Sequence, residues 1–193
     1  MDQLSINVRI NYITLIVGVL ITAAIVLVAW KSSQKPEVLL SIVAAGAAVT
    51  ALVYTAINSQ FTRQVHLEEL RVKKLENAMA FIERSTSSEM IQAINLGVAL
   101  REEVRGKNSD QVKQIIKSSP RKKEALVMIF NYFERLGVIV RLEAADEQAL
   151  KDYYQAAIRR YWHSFNPWVH EIRSDLQDTT IFTETEKLVK RWS

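Results

Sequence analysis

Residues 10–30 read INYITLIVGVLITAAIVLVAW, and residues 38–57 read VLLSIVAAGAAVTALVYTAI. Neither run holds a charged side chain. At about 1.5 Å of rise per residue, each spans roughly 30 Å as a helix, the thickness of a bilayer core. Tyr12 and Trp30 lie near the ends of the first run and Tyr54 near the end of the second, where amphipathic rings prefer an interface. A cleaved signal peptide fits the first run less well. The run is longer than the usual apolar stretch of ~7–15 residues, and Asp2 stands where positive charge is expected. The connector KSSQKPE is short, so the expectation is an antiparallel transmembrane hairpin. Lys31 and Lys35 flank it on the connector side, against Arg9, Arg63, Arg71, Lys73 and Lys74 on the other. That bias places both termini in the cytoplasm and makes the chain a multi-pass protein of the cytoplasmic (inner) membrane.

The expected fold class is all-α: a two-helix transmembrane hairpin followed by a cytoplasmic helical bundle. The expected divisions are a tail over 1–9, the hairpin over 10–57, a stalk helix over 58–84 and the bundle over 85–193. Helices in lipid approach closely at small residues. Thr14, Gly18 and Thr22 supply such a row on the first helix, and Ala44, Gly46 and Ala48 supply small positions on the second. Packing within the hairpin is the simpler reading and an oligomer interface the other. The absence of ionisable residues from both runs gives an ion pathway no support.

The 193 residues include 5 Gly, 3 Pro and no Cys. This composition favours long helices and excludes disulfides, thiolate catalysis and cysteine metal sites. Beyond residue 58 there are 22 Lys and Arg against 19 Asp and Glu, too mild an excess for a dedicated nucleic-acid binder.

Phe61, Val65, Val72, Leu75, Met79 and Ile82 recur at helical spacing, interrupted by Glu68. The stripe reads as the core-facing side of a bundle helix, with a parallel coiled coil between subunits as the alternative. Thr86 to Glu89 and Thr183 to Glu186 have capping-box spacing. Further helices are expected from about Ser109 to Ser118, from Pro120 to Val140 and from Asp146. Asn166-Pro167 is expected to end that last helix and begin another.

There is no phosphate loop, HExxH pair, GxSxG elbow or CxxC. His163, His170 and Glu171 are too loosely spaced to fix a metal geometry. No cofactor is expected. Asn131 and Glu134 share a face of the most apolar helix. A carboxylate there needs a partner, and Arg173 is the expected one. Arg121, Lys122 and Lys123 open the same helix against its dipole, which makes them candidates for headgroup contact.

The segments LVMIFNYFERLGVIVRLEAADEQALKDYY, RRYWHSFNPWVHEIR and FTETEKLVKRW resemble a bacterial family of unknown function whose members carry N-terminal membrane helices before a helical domain. The matching positions are Asn131, Phe133, Glu134, Asp146, Trp162, Pro167 and Arg173. The resemblance implies an architecture and no reaction. The first functional expectation is a non-enzymatic, membrane-anchored module that self-associates or binds an unidentified protein. The alternatives are a membrane-acting effector that oligomerises in the bilayer, and a sensor for a small anionic ligand. The expected partners are the lipid bilayer and further copies of the chain, not nucleic acid.

Overall fold

The computed structural model describes residues 16, 18–20, 22–24, 27–28, 31 and 36–193. Thr14, the tail over 1–9 and most of the connector lie outside the described residues. Six helices follow in the described chain from residue 36: α1 (Pro36–Arg84), α2 (Ser88–Glu103), α3 (Ser109–Lys117), α4 (Pro120–Arg141), α5 (Glu147–Asp175) and α6 (Thr183–Arg191). No strand occurs among the described residues. The all-α class and the bundle are as the sequence indicates.

Among the described residues, no helix is long and apolar enough to cross a membrane. The expectation of a multi-pass inner-membrane protein with cytoplasmic termini is overturned by that finding. The first apolar run falls largely outside the described residues. The second is no separate span. It is the opening part of the 49-residue α1, which continues without a break into the charged segment from Arg63 to Arg84.

The chain divides into two compact units, residues 1–70 and residues 71–193. In the first, Thr22 and Thr50 bring two helical segments together. Their hydroxyls lie 3.1 Å apart, and each donates a hydrogen bond to the carbonyl four residues earlier, on Gly18 and Gly46. A β-carbon at Gly46 would sit 2.7 Å from Thr22 Cγ2, so glycine permits this approach. Ala44 and Ala48 are exposed.

The second unit is built around α4. This helix packs against α2, α3 and α6, and α5 packs against α3 and α6. Leu126, Phe130, Leu136 and Val140 of α4 are buried, as are Leu150, Ile158, Phe165 and Val169 of α5. Full burial of such side chains contributes about 1.5–3 kcal/mol each. The ends follow local chemistry. Ser119 accepts from Lys122 N before a proline at the first helical position, and Asp146 accepts from Ala149 N at the start of α5. Asn108 and Gln111 form a reciprocal capping box at α3.

Three local expectations are corrected. The cap of α2 is Ser87, one residue after Thr86, because the Ser85 and Thr86 hydroxyls bond back to Ile82 and Glu83 carbonyls at the end of α1. Helix α5 runs through Pro167 instead of breaking there. An internal proline costs about 3 kcal/mol. Phe165, Trp168 and Val169, buried on both sides of it, offset that cost. The α6 N-terminus has no capping box: its N-cap is Phe182, in the left-handed region at φ 56° with no side-chain cap. The Phe182 ring lies 5.2 Å from Phe130 and 6.2 Å from Trp168. Burial of that ring holds a backbone conformation that L-residues avoid.

Candidate functional site

The stripe on α1 is the largest departure from expectation. The residues of α1 that are buried in the core of the second unit are Ala78 and Phe81, followed by Ser85 just past its end, not Val72, Leu75 and Met79. Two contacts fix this rotation. Asn77 Nδ2 donates to the Ala144 carbonyl at 2.7 Å, and the Asp146 backbone N–H donates to the Lys74 carbonyl at 2.9 Å. Tyr132 of α4 adds a third, donating from its buried phenol to the Phe81 carbonyl at 2.5 Å. The Tyr154 phenol lies 2.8 Å from that of Tyr132. Burial pushes both phenols above their ordinary titration range.

With those contacts made, Val72 is left 54 % exposed, Leu75 47 % and Met79 57 %. They follow one another at spacings of three and four, which is the seam of a helical heptad. Ile82, next in the register, packs against the core, so the exposed seam ends at Met79. Arg71 and Glu76 are exposed beside the stripe, and neither has an ion-pair partner among the described residues.

The polar trio is rearranged. Glu134 does not meet Arg173. Its carboxylate accepts from the backbone N–H of Glu184 at 3.0 Å, from that of Thr185 at 2.8 Å and from the Thr185 hydroxyl at 2.9 Å. Glu134 therefore caps α6 from another helix, satisfying amides that Phe182 leaves open. Arg173 donates instead to the Ile181 carbonyl at 2.8 Å and to Glu186 at 2.9 Å. Asn131 is exposed and hydrogen-bonds to neither. The pattern of a carboxylate on an apolar helix identified Glu134, but its donors lie some fifty residues away and no sequence spacing points to them.

Among the three basic residues opening α4, Lys122 is tied to Glu103 at 2.7 Å, while Arg121 and Lys123 are exposed. His163 and His170 both lie on α5, exposed, with no metal-holding group among the described residues. Gly18, Thr22 and Gly46 are brought together in the first unit, as described above.

No curated protein and no solved structure matches this chain. A family model described as a domain of unknown function (DUF4760) matches residues 41–192. That match covers most of the chain, from within α1 to beyond α6, and the chain belongs to this uncharacterised family.

Proposed function

We propose that this protein is a non-enzymatic helical module that self-associates, two copies pairing in parallel along α1. The observation that carries this reading is the exposed seam of Val72, Leu75 and Met79. In a parallel, in-register pair, Val72 and Met79 take one core position of the heptad and Leu75 the other. Arg71 of one copy then faces Glu76 of the other across the flank, and each gains the opposite charge that it lacks among the described residues of its own chain. The same register extends in the sequence to Val65 and Phe61, interrupted at the core position of Glu68.

The strength of the pair follows from its size. The exposed seam is short, three side chains from each copy, so the pair is reversible and concentration-dependent. Sedimentation velocity of the full chain tests it, in a non-ionic detergent that covers exposed apolar residues such as Leu40 and Leu52. The wild type sediments as a dimer at high concentration, and Leu75→Glu sediments as a monomer with unchanged helicity. A wild-type monomer at every concentration, or an unchanged mass for Leu75→Glu, overturns the proposal.

A further inference from the structure

A second feature of the bundle is independent of the α1 seam. Between the α2–α3 turn and the middle of α5 lies a cleft of about 950 Å³, a volume that suits a small-molecule ligand. Arg101, Arg105, Lys107, Arg159 and Arg160 line it, and no Asp or Glu does. Arg101 and Arg105 share Glu102, at 3.6 and 2.9 Å. Lys107, Arg159 and Arg160 have no carboxylate partner among the described residues. Elsewhere in the unit, Lys113, Lys117, Lys122, Arg141 and Arg191 each meet one. The cleft thus gathers five cations against one carboxylate, Glu102, from two parts of the chain separated by more than fifty residues.

The backbone builds the cleft as much as the side chains do. Gly106 takes φ 72°, which turns the chain between α2 and α3 and leaves open space where a β-carbon would stand. Arg105 and Lys107 flank that turn. Arg159 and Arg160 are consecutive on the exposed side of α5. Arg101 and Arg160 both oppose the upward push that desolvation gives the buried Tyr161 phenol. The lining also includes apolar surface, from Val104, Val112 and the half-buried Trp162.

We propose that this cleft binds a small phosphate ester carrying two or more negative charges and a planar ring, of the nucleoside diphosphate class. Clustered cations concentrate a multivalent anion, and guanidinium groups match phosphate oxygens in bidentate pairs. Arginine planes and Trp162 offer stacking surfaces to a ring. The enclosure between helices favours a small ligand over a polymer or a surface.

The test is thermal shift and calorimetry on the full chain with ADP, pyrophosphate and adenosine as probes, at low and high salt. ADP is expected to bind most tightly, pyrophosphate more weakly and adenosine not at all, with binding weakened by added salt. Arg159→Gln/Arg160→Gln is expected to weaken ADP binding by about tenfold or more, with the unliganded melting temperature unchanged. The equally charge-reducing Arg121→Gln/Lys123→Gln leaves binding intact. Binding of neither ADP nor pyrophosphate overturns the proposal. So does equal binding of adenosine, or equal loss in the two double variants. The sedimentation experiment on α1 is unaffected by any of these outcomes.

Discussion

Glu134 and Thr185, one on α4 and the other in the first turn of α6, are joined twice. The Glu134 carboxylate accepts both the Thr185 backbone N–H at 2.8 Å and the Thr185 hydroxyl at 2.9 Å. Because Phe182 caps nothing, this contact performs for α6 what Ser87, Asn108, Ser119 and Asp146 perform for α2 to α5.

Removing that contact is predicted to destabilise the bundle strongly. Hydrogen bonds to a charged acceptor contribute about 1.5–3 kcal/mol. Glu134→Ala leaves the Glu184 and Thr185 amides open, and chemical denaturation should show a loss of about 2–3 kcal/mol. Thr185→Val keeps the amide bond and removes only the hydroxyl, for about 1 kcal/mol. The double variant should lose less than the sum, because both changes act on one contact. An unchanged denaturation midpoint for Glu134→Ala would sink the capping account.

Gly137 is predicted to be the least replaceable glycine of the bundle. A β-carbon there would lie 2.8 Å from both Cβ and the backbone oxygen of Glu184, so α4 and α6 would have to separate. Gly137→Ala gains helix propensity but is expected to lose about 1–3 kcal/mol from overpacking. At Gly97 the nearest atoms belong to the Tyr161 and Ile129 side chains and none to the backbone. Comparison of the two alanine variants by thermal melting checks the ranking. A milder effect at Gly137 than at Gly97 contradicts it.

The C-terminal ion pairs set an acid limit. Glu186 titrates below its ordinary 4.5, held down first by its hydrogen bond from Lys190 and next by Arg173, against its own desolvation. Glu184 is lowered chiefly by Lys187, with Arg141 assisting after an opposing desolvation. Carboxyls easier to ionise in the folded chain contribute stability in full above the unfolded value of 4.5. That contribution is lost as pH falls through the depressed folded values. Melting temperature should therefore be steady just above about pH 5 and fall below it. Lys190→Met, at an exposed position, should make that fall shallower. An acid slope identical to wild type would show that the Lys190 pairing contributes nothing.

Local features of the fold were legible in the residues that cause them. Asp146 and the Ser119-Pro120 pair announce the starts of α5 and α4 because their side chains cap within three residues. Pro167 misled because local backbone chemistry was outweighed by burial of Trp168 and Val169, which only the assembled core reveals. The α1 stripe misled for a related reason. Apolar spacing locates a seam but not its partner, and the rotation of α1 is set by Asn77 and by the Lys74 carbonyl, which carry no hydrophobic signal. The cleft cations carry no sequence signal of their own, because Arg105 and Arg160 line one cleft only in the folded chain.

The central claim, pairing along α1, has a direct test because the chain contains no cysteine. A single Leu75→Cys can form a disulfide only with a second copy. In a parallel, in-register pair the two positions meet across the seam, within the Cα separation of about 4.4–6.8 Å that a disulfide needs. Under mild oxidation the account predicts that Leu75→Cys gives a covalent dimer in high yield, while Lys73→Cys, also exposed on α1 but off the seam, is not cross-linked. Equal cross-linking of the two variants, or none in either, would contradict it.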